Sequence, residues 1–177
     1  MRIQGGQALI DGQLVETDVR IDGSSGLIET IGAEGGNGRV LDARGLHVLP
    51  GIVDIHGDAF ERQLMPRPGV GFPFDVALMD SDRQAIGNGI TTVFHGVTWS
   101  WEPGLRGDDN ARALVSEIEA LRPRLGADTH CHLRLETFNL DAESEVIDWM
   151  AQRRIGMLGF NDHMPGENTP PRRRKVA

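Results

Sequence analysis

Leu49-Pro-Gly-Ile-Val-Asp-Ile-His-Gly-Asp58 is the stretch on which the reading of this chain turns. Pro50-Gly51 breaks whatever precedes it. Ile52 to Ile55 is a short, nearly continuous apolar run, expected of a strand buried on both faces in a parallel sheet. The run ends in His56-x-Asp58. Residues two apart in a strand face the same way. Imidazole and carboxylate therefore project together from the strand's C-terminal end, where parallel α/β folds build their sites. Both groups suit Zn²⁺ or Mn²⁺. The plain alternative is a histidine satisfied by a neighbouring aspartate.

Working outward, residues 1–50 read as an N-terminal β domain of short strands and turns. Ala8 to Ile10 meets Asp11-Gly12, a strong hairpin signal. Val19 to Ile21, Leu27 to Ile31, Val40 to Asp42 and Leu46 to Leu49 supply further strands, with Gly35-Gly-Asn-Gly38 as a loose loop. A small antiparallel sheet or sandwich is expected. After residue 51, strands and helices alternate. Asp75 to Asn88 reads as a helix stopped by Gly89, and Ile90 to Val97 as a second buried strand. Asn110 to Arg122 carries Ala111, Leu114, Val115, Ile118 and Leu121 on one face, capped by Asp108 or Asp109 and ended by Pro123. Ala127 to Glu136 is a third strand. Asp141 to Arg153 is a helix with Val146, Trp149 and Met150 on one side, and Ile155 to Phe160 is a fourth strand. Repeated units of this kind imply a parallel sheet with right-handed crossovers. Residues 51–166 are expected to form part of a barrel, and residues 167–177, with Pro170-Pro171 and Arg172-Arg-Arg-Lys175, a disordered basic tail.

Other strand ends also carry polar groups. His95 lies near the end of the second strand. His130, His132, Arg134 and Glu136 share one face of the third, and four such groups are costly to bury without partners. That face is expected to line a polar site, with Cys131 on the opposite face in the core. Asp162-His163 follow the fourth strand. Arg62, Arg67 and Arg134 recur near these ends, and arginine is the bidentate phosphate binder. The prolines of Met65-Pro-Arg-Pro-Gly69 would stiffen the loop holding Arg67. Trp99 and Trp101 suit either ligand stacking or packing.

Composition narrows the function classes. The chain has 177 residues, with 18 Lys and Arg against 26 Asp and Glu, a net charge of −8. An acidic chain is a poor general binder of nucleic acid. One cysteine excludes a disulfide scaffold. No apolar run is long enough to cross a membrane, and the first residues lack a signal-peptide core, so a cytoplasmic protein is expected.

Together these blocks resemble the amidohydrolase superfamily. Within it, His56-Gly-Asp-Ala-Phe-Glu61, Pro66-Arg-Pro68, Gly89-Ile-Thr-Thr92, His132-Leu-Arg-Leu-Glu136 and Asp162-His-Met-Pro-Gly166 resemble the PhnM-type proteins. Those are ribose methylphosphonate triphosphate diphosphatases of the carbon–phosphorus lyase pathway. The resemblance implies a small N-terminal β-sandwich-like sheet, then the first half, about four βα units, of a truncated TIM-like barrel. It implies a divalent metal, Zn or Mn, held by His56, Asp58, Glu136 and His163. The substrate would be a phosphorylated ribose, from which pyrophosphate is released. Arg67 and Arg134 are candidates for triphosphate contacts on electrostatic grounds. The family's further histidine and its general-base aspartate, from later strands, have no counterpart in this sequence. Little turnover is therefore expected of this chain alone, and completion by a C-terminal half or a homo-oligomer is one expectation. The alternatives are a catalytically dead half-barrel used in binding or assembly, a gene remnant, or another amidohydrolase such as a deaminase or deacetylase.

Overall fold

The computed structural model describes residues 1–32, 38–58 and 60–163. The expected basic tail, and most of the loop at residues 35–38, lie outside them. The chain divides into two compact units, Met1–Gly51 and Ile52–Ala177.

In the first unit, β1 (Arg2–Ile10) and β2 (Gln13–Ile21) form the expected hairpin. Asp11 and Gly12 both take positive φ, at 48° and 79°. That is the backbone a two-residue hairpin turn demands. β3 (Ile28–Ile31) pairs antiparallel with β2. The sheet is not wholly antiparallel, however. β4 (Val40–Asp42) and β5 (His47–Val48) both join β1 in parallel. The described strands of this unit form one five-stranded sheet. Short apolar runs show where strands lie, but not the direction in which a connection returns to the sheet.

The second unit is a curled four-stranded parallel sheet in the order β6 (Ile52–Gly57), β7 (Ile90–Trp99), β8 (Asp128–Glu136) and β9 (Met157–Asn161). It is the first part of a TIM-like barrel. The connections carry α1 (Phe60–Leu64), α2 (Phe74–Gly87), α3 (Asp108–Leu121) and α4 (Glu143–Ala151). Gly89, at φ 78°, provides the left-handed turn between α2 and β7. Asp82 of α2 accepts the backbone N–H groups of Gly126, at 3.0 Å, and Ala127, at 2.8 Å. That contact fixes where β8 begins.

Period-two alternation organises β8. Thr129, Cys131, Leu133 and Leu135 are buried and point to the helices. Cys131, Leu133 and Leu135 pack in one core with Val97, Trp99, Leu114, Val115, Ile118, Val146 and Trp149. The expected apolar face of α3 is buried in full. Arg112 ties α3 to α4, donating from Nε and Nη2 to the Glu145 carboxylate at 3.0 Å each.

Three local expectations need correction. β6 is not buried on both faces: Ile52, Val53 and Ile55 are all more than half exposed. It is an edge strand, and an edge has a neighbour on one side only. Neither Asp108 nor Asp109 caps α3. Gly107 takes the cap position and both aspartates sit in the first turn, where their charge still favours the helix dipole. Met150 is 50% exposed rather than core: the packed face of α4 carries Val146 and Trp149, and Met150 lies at its margin.

Candidate functional site

The face of the sheet opposite the helices gathers the polar residues. β8 directs His130, His132, Arg134 and Glu136 there, between odd-numbered residues that fill the core. Parallel register places Gly96 beside His132 and Gly159 beside Arg134.

Those glycines make room for the side chains around them. A Cβ on Gly96 would stand 2.7 Å from Asp58 Oδ1 and 3.5 Å from Arg134 Cδ. A Cβ on Gly159 would stand 2.9 Å from His132 Nε2. Lower on the face, a Cβ on Gly156 would press Phe94 Cε1 at 2.8 Å. The sequence reading passed over all three, although glycine inside a strand pattern often marks close approach.

His56 and Asp58 come together, Nε2 to Oδ2 at 3.4 Å. Asp58 Oδ1 also accepts from Arg134 Nη1 at 3.3 Å. The His56 ring meets the His132 ring edge-on at 5.2 Å between centroids. His132 Nδ1 lies 3.0 Å from the Ile55 carbonyl, which orients the ring across to β6. Burial pushes His132 below the ordinary imidazole range, so it is neutral at pH 7. The result is one connected group: His56, Asp58, His132 and Arg134.

Glu136 and His163 form a second group. The Glu136 carboxylate is 3% exposed. It accepts the His163 backbone N–H at 3.1 Å and contacts His163 Nδ1 through its other oxygen. A buried carboxylate needs such partners.

Imidazole and carboxylate are the right donors for Zn²⁺ or Mn²⁺, but the arrangement is that of two pairs. Among the described residues no three His, Cys, Asp or Glu side chains are grouped closely enough to hold one ion. The four expected ligands therefore do not form a metal centre as they stand here.

The remaining candidates join neither group. Arg67 sits on an exposed turn closed by Val70 N–H to the Arg67 carbonyl at 3.0 Å, and no described contact brings it to Asp58 or Arg134. His130 stacks on Phe94 and pairs with Asp128 at 2.9 Å. His95 points to the helix side, against Phe60. Trp99 is core and Trp101 is half exposed. Cys131 is fully buried, as expected.

Comparison with known proteins bears on the fold and the resemblance. No family model matches the chain. It is 28% identical over 140 residues to the alpha-D-ribose 1-methylphosphonate 5-triphosphate diphosphatase of Escherichia coli (strain K12). The match covers 76% of this chain and 36% of that protein. The chain thus spans about a third of the curated relative's length. Among solved structures, a D-hydantoinase from Bacillus sp. AR9 matches at TM-score 0.58 and 22% identity, covering 89% of this chain and 32% of that one. Dihydropyrimidinase from Brevibacillus agri NCHU1002 matches at TM-score 0.58 and 21% identity, with the same coverage. Such identities show the fold alone. No helix among the described residues is long and apolar enough to cross a membrane. The chain has part of an amidohydrolase fold and is PhnM-like in sequence.

Proposed function

We propose that this chain provides the N-terminal part of a phosphoanhydride hydrolase of the amidohydrolase superfamily. Its proposed substrate is ribose 1-methylphosphonate 5-triphosphate and its product pyrophosphate. One observation carries the reading: His56, Asp58, His132 and Arg134 converge at the C-terminal ends of parallel strands, on a face cleared by Gly96. Sequence similarity to a diphosphatase supplies the substrate.

In this reading Arg134 contacts the phosphate chain. Its guanidinium makes a single 3.3 Å contact with Asp58 and keeps donors for an anionic oxygen. Arg67, on its proline-braced turn, is proposed as a second phosphate contact. Neutral His132 holds its position by the bond to Ile55. His56, Asp58, Glu136 and His163 are proposed to bind Zn or Mn once the two pairs are drawn together, and that step belongs to completion of the site. The proposed setting is cytoplasmic, with no nucleic-acid or membrane partner, and with a C-terminal half or a second copy completing the barrel.

The test is pyrophosphate release by the purified 177-residue chain, alone and mixed with the C-terminal remainder of the Escherichia coli relative. Negligible turnover alone and release with the second piece are expected. Release should fall when Arg134 is replaced by Met. No release in the mixture, although the two pieces bind each other, would overturn the reading. The separation into two donor pairs favours a second reading, a half-barrel without catalysis. Calorimetric titration with Zn²⁺ or Mn²⁺ separates them: weak binding lost in Asp58→Ala supports the hydrolase, and heat unchanged by that substitution supports the inert form.

A further inference from the structure

Behind the site, between the helix face of the sheet and α1 and α2, lies a cavity of about 160 Å³. It is large enough for several non-hydrogen atoms. Phe60, Ala85, Ile90 and Val93 give it mostly apolar walls. Set into those walls are polar atoms with no hydrogen-bond partner: His95 Nδ1, Ser81 Oγ and Gln63 Oε1. His95 is 4% exposed and Ser81 7%. Orphaned buried polar atoms in a folded protein call for an occupant.

The chemistry of the lining selects that occupant. Gly57 is the sheet partner of His95 on β6, and burial holds the ring neutral at pH 7. A neutral imidazole carries its proton on one nitrogen only, and with that proton on Nε2 the unpartnered Nδ1 is an acceptor. Gln63 Oε1 is also an acceptor. Asp54, on the same wall, brings a carboxylate whose Oδ1 accepts the His56 backbone N–H at 3.0 Å. The donors nearby point elsewhere: Gln84 Nε2 donates to Asp80 at 2.7 Å, and Asn88 Nδ2 to the Gln84 carbonyl at 2.7 Å. His95 Nδ1 and Gln63 Oε1 therefore accept, and the Ser81 hydroxyl can accept as well as donate, beside the Asp54 carboxylate and the Phe60 ring.

We infer that this cavity is a binding site for a small primary ammonium group, seated by His95 Nδ1, Gln63 Oε1 and Ser81 Oγ with Asp54 as counter-charge. The site lies on the opposite side of the sheet from the phosphate-binding reading and does not depend on it.

The probe is methylammonium chloride titrated into the full chain, followed by amide and side-chain NMR shifts at residues 63, 81 and 95. Sodium chloride at matched ionic strength is the control. Saturating shifts centred on these residues are expected, with little response to tetramethylammonium, which has no N–H to donate. n-Butylammonium distinguishes the source: saturation by it too extends the site to amines borne on a chain, and saturation by methylammonium alone restricts it to free small amines. Gln63→Leu should weaken binding about tenfold, the loss of one hydrogen bond to a charged group. His95→Phe should abolish it. Gln63 is only half buried, so its variant keeps the test decisive should His95→Phe fail to fold. Linear shifts, equal response to tetramethylammonium, or unchanged affinity in Gln63→Leu would each overturn the inference and leave a cavity holding water only.

Discussion

Two glycines on the inner face are equally tight by distance and should behave oppositely when replaced by alanine. A Cβ on Gly96 would lie 2.7 Å from Asp58 Oδ1, so that atom must retreat by about 0.7 Å to reach ordinary contact. Asp58 ends a side chain that is 53% exposed, and it can rotate away. The cost is its 3.3 Å contact with Arg134, worth at most about 1 kcal/mol at such exposure. Against this, alanine within a strand gains roughly 0.5–1 kcal/mol over glycine. The net change in stability for Gly96→Ala should be within about 1 kcal/mol of zero. At Gly156 the new methyl meets Phe94 Cε1 at 2.8 Å and His130 Cβ at 3.3 Å. Those two rings are stacked at 4.8 Å, and the Gly156 N–H is bonded to the Cys131 carbonyl at 2.9 Å. Phe94 and His130 are part-buried and held against each other by stacking, so they yield less readily than Asp58, and overpacking of this kind costs about 1–3 kcal/mol. Urea unfolding followed by tryptophan fluorescence reads both. With a slope of roughly 2 kcal/mol per molar, Gly156→Ala should unfold about 1 M earlier than Gly96→Ala. Equal losses in the two variants would show that Asp58 is held as rigidly as Phe94, and the argument from yielding side chains would fail.

Leu114 is 2% exposed in the core between α3 and the sheet. Leu114→Ala should cost about 2–5 kcal/mol in the same assay, and a loss under 1 kcal/mol would mean α3 is not packed as described. Burial pushes the Cys131 thiol up to about 12, so the native chain at pH 8 should resist thiol reagents until it unfolds. Labelling within seconds under native conditions would contradict that. Burial lowers His95 to about 4 from an ordinary 6.5. The unfolded state therefore binds the proton first, and stability present above pH 6.5 is lost as the pH falls towards 4. The loss is on the order of 3 kcal/mol. A His95→Phe variant should show a flatter stability profile over that interval, and parallel profiles would count against it.

Most of the fold was legible because its signals are periodic. The spacing of Ala111, Leu114, Val115, Ile118 and Leu121 located α3, and the alternation through His130–Glu136 located both faces of β8. The Asp11-Gly12 turn located the first hairpin. What local pattern does not carry is position within a sheet. Ile52 to Ile55 has the composition of a central strand and occupies an edge, because burial depends on which strands arrive beside it. The parallel return of β4 and β5 was hidden for the same reason. At the site, His56, Asp58 and Arg134 were visible as strand-end residues. The contribution of Gly96 and Gly159 was not, since the absence of a side chain matters only once a neighbour's position is known. His95 shows the converse: its place near a strand end suggested the polar face, but one step of register puts it on the other side.

The alternation through β8 also bears on how such a chain changes over generations. Odd positions answer to the core, and even positions to whatever approaches the open face. A substitution at 132, 134 or 136 changes the face opposite the helices while the helices keep their packing, and one at 131 or 133 does the reverse. Selection can then explore new chemistry on one side of a strand without first repairing the other. A single scaffold with that property is a good starting point for many specificities.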